Sequence, residues 1–279
     1  ELEMRKFPHL PKEAVKLLKK AYKKEQKKEK KEDSLKENKA VKKIREELAK
    51  GTSTEEVLKY HSNRIYVLNF FGNKEASQVE QFREEISFLL QVAQPADEVV
   101  VKLNSPGGVV QNYGLASSQI ARLRQHEIKC TVCVDLVAAS GGYMMAAVAD
   151  KIVAAPFAII GSIGVAAGLP NFHRILKKNE VDYLMFTAGK YKRTVTPLTE
   201  VTEEGQEKMQ QDLESIHQSF KKLIADHRKE IDIEEVATGE FWLAEEAKEK
   251  GLVDEILTSD DYLFDKMKDF EIIEITTED

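Results

Sequence analysis

Cysteine is nearly absent from this sequence. Its 279 residues hold two, Cys130 and Cys133, in a single "CTVC". One such pair cannot supply the four ligands of a structural zinc site, and no second pair exists to complete it. The pair lies within "IKCTVCVDL", which reads as a strand and not as the strand-to-helix junction of a redox motif. An offset of three along a strand sends the two thiols to opposite faces, so buried, inert thiols are expected. Long apolar runs are missing as well. No stretch reaches the ~18 consecutive apolar residues of a membrane-spanning helix. No secretory signal pattern and no internal repeat is visible. The sequence begins with Glu instead of Met, so a fragment whose membrane anchor lies upstream is the expectation.

What is present suits a sizeable core. Hydrophobic residues make up 42% of the chain, enough for one large domain or one domain with appendages. Charged residues reach 32%, yet the net charge is only −6. The charge is unevenly spread. Residues 1–50 hold 18 of the 42 Lys and Arg and 10 of the 48 Asp and Glu, a local net of +8. The remaining residues carry 24 basic and 38 acidic side chains, a net of −14. A basic, Lys/Glu-rich arm over 1–63, helical or flexible, is therefore expected before an acidic body over 64–279. A solvated charge run accounts for the arm, and attraction to anionic lipid beside a membrane is the sharper reading. Gly51 closes its charged run, and "TSTEE" resembles a new helix start.

Beyond Arg64 strands alternate with helices. "RIYVLNFFG", "DEVVVKLN", "IKCTVCVDL" and "IVAAPFAIIGSIGV" read as strands. "KEASQVEQFREEISFLLQVA", "VQNYGLASSQIARLRQHE" and "SGGYMMAAVADK" between them read as helices. A helix, a strand at "DYLMF" and a basic loop follow. A long helix then carries Met209, Leu213, Ile216, Phe220 and Ile224 at steps of three or four. "ATGEFWLAEEAKEKGLVDEI" adds a short strand, a helix and a return to the sheet. This order predicts an α/β fold of repeated βαβ units with a mostly parallel sheet.

In such a sheet ligands gather at the carboxyl ends of the strands. Three glycine turns fall there: "NSPGG" at 104–108, "ASGG" at 139–142 and "GSIG" at 161–164. Glycines admit close backbone approach, and exposed amides at a helix start favour a developing negative charge. Ser140 sits in the second turn. It either caps the helix that follows or attacks a substrate, and "ASGG" is not the G-x-S-x-G elbow.

A nucleophilic serine needs a base. Of His9, His61, His126, His173, His217 and His227, none is framed as a triad member, and His173 alone falls near the turns. Lysine is the other choice, since burial in an apolar pocket lowers its pKa and frees its lone pair. Lys190 and Lys192 follow "DYLMF" in "TAGKYKRTVTP", where a solvated basic loop is the plainer account.

From about Arg64 to Ile256 the sequence resembles the signal peptide peptidase A family of serine peptidases, in particular its SohB branch. The segments that carry the resemblance are "LNSPGG", "VAASGGYMMAAVADKIVAAPFAIIGSIGV", "TAGKYKRTVTP" and "ATGEFWLAEEAKEKGLVDEI", in that order. The resemblance implies the fold shared by ClpP and the crotonases, built of ββα and βαβ units, and a Ser–Lys dyad. Ser140 then falls on the nucleophile and Lys192 on the general base, with Lys190 an outer lysine. Ser162 falls on the hydroxyl that orients the lysine. Gly107 falls on an oxyanion-hole amide, with Gly108 beside it.

The resemblance further implies extended, apolar peptide substrates such as signal-peptide remnants, and a homo-oligomeric bowl or dome with the sites inside. It implies association with the bacterial inner membrane through an upstream anchor or the basic arm, on the periplasmic or the cytoplasmic side. No cofactor, metal or nucleic-acid partner is expected. Two other activities fit the same fold: an acyl-CoA enzyme of crotonase type, and a non-catalytic membrane-associated scaffold.

Overall fold

The computed structural model describes residues 63–276, preceded by residues 42, 44–46 and 48–51. The chain divides into two units, Glu1–Ser62 and Asn63–Asp279. In the first, residues 42, 44–46 and 48–49 are helical and 50–51 form a turn, while the other residues of the expected basic arm up to 62, with His9 and His61, lie outside the described residues.

The second unit opens with β1 (Arg64–Phe71), α1 (Val79–Val92), β2 (Glu98–Asn104), α2 (Val110–Gln125) and β3 (Lys129–Val134). These strands are joined by helices and pair in parallel, with Ile65 opposite Glu98 and Val99 opposite Cys130. Burial on both faces explains why they are apolar almost throughout. One face packs Leu68, Phe70, Val101 and Val132 against Phe82, Ile120 and Leu123 of α1 and α2. Phe70 meets Phe82 edge-on at 5.2 Å between centroids. The other face buries Ile65, Val67, Val100, Cys133 and Val153. Cys130 and Cys133 therefore lie on opposite faces, both buried and free. Burial pushes both thiols up, Cys133 to about 12, which makes them inert at neutral pH.

The chain then leaves this sheet. It crosses through Asp135 and Leu136 and starts a second one as β4 (Val137–Ala139), followed by α3 (Gly141–Ala147). It returns to the first sheet as β5 (Lys151–Ala154) and revisits the second as β6 (Ile159–Gly161). Next come α4 (His173–Lys178), α5 (Glu203–His227), α6 (Ile233–Val236), β7 (Phe241–Leu243), α7 (Ala244–Glu249), β8 (Glu255–Ile256), α8 (Ser259–Lys266) and β9 (Glu271–Glu274). The first sheet runs β8-β5-β3-β2-β1-β9, all parallel, and the second β4-β6-β7, with only β7 antiparallel. The mostly parallel α/β architecture is thus as expected.

Two expectations need correction. "IVAAPFAIIGSIGV" is not one strand, because β5 and β6 belong to different sheets. "DYLMF" is not a strand. Residues 181–187 carry no regular structure, and with no ladder partner among the described residues their β-forming side chains stay on the surface.

Helix α8 closes the second face of the first sheet through a buried polar cluster. Glu98 Oε1 accepts from Thr131 Oγ1 at 2.6 Å and from Tyr262 Oη at 2.6 Å. Lys129 and Lys266 approach Oε2 at 3.3 and 3.5 Å. Burial acts to raise the carboxyl pKa, but the two hydroxyls and two ammonium groups outweigh it, and Glu98 is held below the usual carboxylate range.

Candidate active site

Ser140 joins the end of β4 to the start of α3 with φ +50° and ψ −119°. This region costs a residue with a Cβ about 1–3 kcal/mol, so the surroundings must impose it. They do. The Ser140 N–H donates to Gly161 O at 2.8 Å, and the Ser140 carbonyl accepts from Met144 N at 2.9 Å. The next two residues can only be glycine. A Cβ on Gly141 would lie 2.4 Å from Tyr113 Cγ, and one on Gly142 2.4 Å from Ser105 O. The Ser140 side chain makes no capping hydrogen bond and is half-buried. The capping account of this serine is therefore set aside. The turn presents a hydroxyl and does not use it to hold the helix.

The "NSPGG" turn lies against this elbow. Ser105 directly follows β2 and makes an isolated parallel bridge to Ala138 of β4. Its N–H donates to Val137 O at 2.8 Å, and its carbonyl accepts from Ala139 N at 3.0 Å. Gly107 has φ +85°, and a Cβ there would meet Ala139 O and Gly141 N at 2.6 Å and Ser140 Cβ at 2.7 Å. A Cβ on Gly108 would lie 1.9 Å from Lys74 O. The Gly107 N–H donates to Ser105 Oγ at 3.1 Å. Among the described residues the Gly108 N–H has no such partner, and the Gly141 N–H, at the first position of α3, is one of the donors a helix leaves open. Gly141 and the supporting pair Ser105 and Tyr113 were not singled out from sequence. The adjacency of Gly141 to Ser140 was the one local sign.

Ser162 completes the cluster. Ala139 is opposite Gly161 in the parallel pairing of β4 and β6, so Ser140 and Ser162 come one step beyond the same rung. Ser162 also has a positive φ, +52°. Its N–H donates to Glu240 O at 2.6 Å. Gly107, Gly108, Ser140 and Ser162 are thus gathered at the carboxyl ends of strands, as expected for a site in this fold.

Lys192 is not brought into that cluster. It is exposed, in a turn where its N–H donates to Gly189 O at 3.1 Å, and no hydrogen bond links its amine to Ser140. The chain is pinned just after it: Asn171 Nδ2 donates to Thr196 O and Thr199 O, both at 2.9 Å. Lys190 pairs on the surface with Glu204 at 2.6 Å. That pairing and a hydrogen bond to Tyr191 push its pKa up. Among the described residues no histidine serves instead. His126 and His227 face backbone carbonyls of their own helices, His173 opens α4, and His217 lies on α5. Among the described residues no His, Cys, Asp and Glu group could hold a metal. None of their helices is long and apolar enough to cross a membrane.

A strained serine beside amides that lack partners among the described residues suits a serine hydrolase. The family comparison agrees with that class. The model for "Peptidase family S49" matches residues 122–272, and the model for "Peptidase family S49 N-terminal" matches residues 3–120. The chain belongs to peptidase family S49. It is 54% identical over 230 residues to the probable protease SohB of Haemophilus influenzae, spanning 82% of this chain and 64% of that protein. It is 51% identical to the probable protease SohB of Buchnera aphidicola subsp. Schlechtendalia chinensis, over 75% of this chain and 70% of that one. The chain thus spans just under two thirds of the Haemophilus relative's length. Among solved structures it resembles the 1510-N membrane-bound stomatin-specific protease, with a TM-score of 0.53 at 14% identity, over 78% of this chain and 99% of that one. That likeness speaks for the fold.

Proposed function

We propose that this protein is a serine endopeptidase with a Ser140–Lys192 dyad that cuts extended, apolar peptides. The observation that carries the reading is Ser140 itself, a residue with a Cβ held at φ +50° with its hydroxyl uncommitted. A scaffold would have no use for that strain, and an acyl-CoA enzyme would need the amides but no serine. The Ser140 oxygen attacks a peptide carbonyl while its proton passes to the Lys192 amine, oriented by the Ser162 hydroxyl. The Gly108 amide, next to the Gly107 N–H that Ser105 holds, and the Gly141 amide receive the oxyanion, each worth about 3–4 kcal/mol of barrier. The C–N bond breaks as Lys192 returns the proton to the leaving amine. Water then hydrolyses the ester and frees Ser140.

Lys192 lies apart in the single chain, so the dyad needs the 187–194 segment to be docked. A second copy of the chain supplies the covering surface. Phe186 is 91% exposed and Leu184 75%, directly before the lysine turn. The substrates we assign are signal-peptide remnants and other membrane-associated polypeptides, with the enzyme held at the bacterial inner membrane by an anchor or by its basic arm.

The test is hydrolysis of unfolded, apolar-rich fluorogenic peptides in mild detergent by the wild type, Ser140→Ala, Lys192→Ala and Lys190→Ala. The dyad predicts that the first two variants are folded and inactive and that Lys190→Ala works. Equal activity in all four would sink the catalytic reading.

A further inference from the structure

We propose that Tyr113 is the positioning residue of the oxyanion site, its ring supporting the Gly141 amide and its hydroxyl, through Ser105, fixing the Gly107–Gly108 turn. The inference rests on the peptidase reading above and names a part of that site which neither glycine turn reveals alone.

The direction of the hydrogen bonds follows from counting protons. A hydroxyl has one to give. Tyr113 Oη donates to Asn73 O at 2.6 Å. At the 2.6 Å contact between Ser105 Oγ and Tyr113 Oη, Ser105 must then be the donor. Ser105 Oγ keeps its lone pairs and accepts the Gly107 N–H at 3.1 Å. The result is a one-way relay from the Gly107 amide through Ser105 and Tyr113 to the Asn73 carbonyl. Each member polarises the next, and Ser105 and Tyr113 are both 0% exposed, so no water can take a member's place.

Folding alone does not account for this relay. Asn73 O already satisfies the phenol. Ser105 is already stapled to β4 by its own N–H and carbonyl. What the Ser105 hydroxyl adds is a hold on the Gly107 peptide, which leaves the next amide, Gly108, as the partnerless one. The Asn73 end is itself braced: Asn73 Oδ1 accepts from Ser77 N at 3.0 Å, and the neighbouring Lys74 O accepts from Val109 N at 2.8 Å. The ring does the second half of the work. It lies so close under Gly141 that no Cβ fits between them. One rigid aromatic side chain thus sets the spacing of both oxyanion donors, the preorganisation that stabilises a developing charge without rearrangement.

The experiment uses the full chain with the peptide substrate above. It compares wild type, Tyr113→Phe, Ser105→Ala and the double variant, with Ser140→Ala as control. Tyr113→Phe keeps the ring and removes only the hydroxyl. We expect kcat to fall about tenfold or more, up to the 10²–10³ of a lost donor, with KM unchanged. A peptide boronate, whose tetrahedral adduct places an oxygen where the oxyanion forms, should bind more weakly in proportion to kcat/KM. The double variant should be no worse than the worse single one, since both break one relay. Unchanged kcat in folded Tyr113→Phe, a rise in KM alone, or additive losses would overturn the proposal. Should Tyr113→Phe not fold, Ser105→Ala carries the same kinetic test. Wild-type activity in Ser140→Ala would instead overturn the peptidase reading, whatever Tyr113 does.

Discussion

Ser140 and Ser162 stand one step beyond the same β4–β6 rung, and both have φ near +50°. The Ser140 N–H reaches across to the carbonyl of Gly161, which directly precedes Ser162. Among the described residues five non-glycine positions have positive φ, and two of them are these neighbours. Strain gathered at one point marks a position fixed by something other than local stability. Glycine takes such a φ freely. Ser140→Gly should therefore raise unfolding stability by about 1 kcal/mol, the strain relieved being partly offset by the freer unfolded chain. It should also abolish hydrolysis. Urea unfolding of the two proteins measures the first effect. A lower midpoint in the variant would show that the elbow is relaxed.

The two glycines of "NSPGG" should tolerate nothing larger. A Cβ at Gly107 meets backbone of the elbow, and one at Gly108 meets the Lys74 carbonyl. Neither obstacle is the far end of a flexible side chain. Gly107→Ala and Gly108→Ala should each cost about 2 kcal/mol or more and remove activity. Gly114 is the internal control. It lies in α2 with nothing within 4 Å of an added Cβ, so Gly114→Ala should stabilise by about 0.8–1.0 kcal/mol. Thermal unfolding of the three variants decides it, and equal effects at all three positions would refute the steric account.

These contrasts show what a sequence can display. The alternation of strands and helices was legible because burial on both faces makes parallel strands apolar throughout. The stripe on α5 was legible too, although only Phe220 and Ile224 of its five named residues are buried, and Met209, Leu213 and Ile216 stay half-exposed. The split into two sheets was not, since the chain passes from β3 to β4 through two residues and the β pattern never breaks. Strand β9, beside β1 at the sheet edge, went unread in a short C-terminal run. In the site, the glycine turns announced themselves. Tyr113 did not, because a buried tyrosine at helical spacing looks like core, and its hydroxyl's partners come from two other loops. The strand expected at "DYLMF" failed for the opposite reason: its propensity is real, but propensity does not supply a partner.

Glu98 should give the protein an acid-sensitive hinge between sheet and α8. Its folded pKa lies below the unfolded value, so its contribution is fully present above the unfolded carboxylate pKa of about 4.3 and is lost as pH falls through the folded value. Unfolding midpoints measured from pH 7 downward should drop on this limb. Glu98→Gln should lower stability at pH 7, because Lys129 and Lys266 lose their counter-charge. It should also flatten the acid limb. A variant that keeps the wild-type slope below pH 4 would assign the acid sensitivity to other carboxylates.

The exposed segment before Lys192 makes the last prediction. Val181, Tyr183, Leu184 and Phe186 are exposed along a stretch that pairs with no strand among the described residues, and Ile175 of α4 is exposed beside it in sequence. A stretch of this kind on a free monomer invites association, and covering it removes both apolar surface and unpaired backbone from water. The full chain should run as a homo-oligomer by light scattering. Leu184→Asp with Phe186→Asp should shift it toward monomer, since charge placed in an apolar contact is left unpaired on association. Because these residues directly precede the lysine turn, peptide hydrolysis should fall with the oligomer while the melting of the monomer stays unchanged. An oligomer that survives both substitutions would move the contact to another face, and full activity in a monomer would mean that Lys192 docks within its own chain.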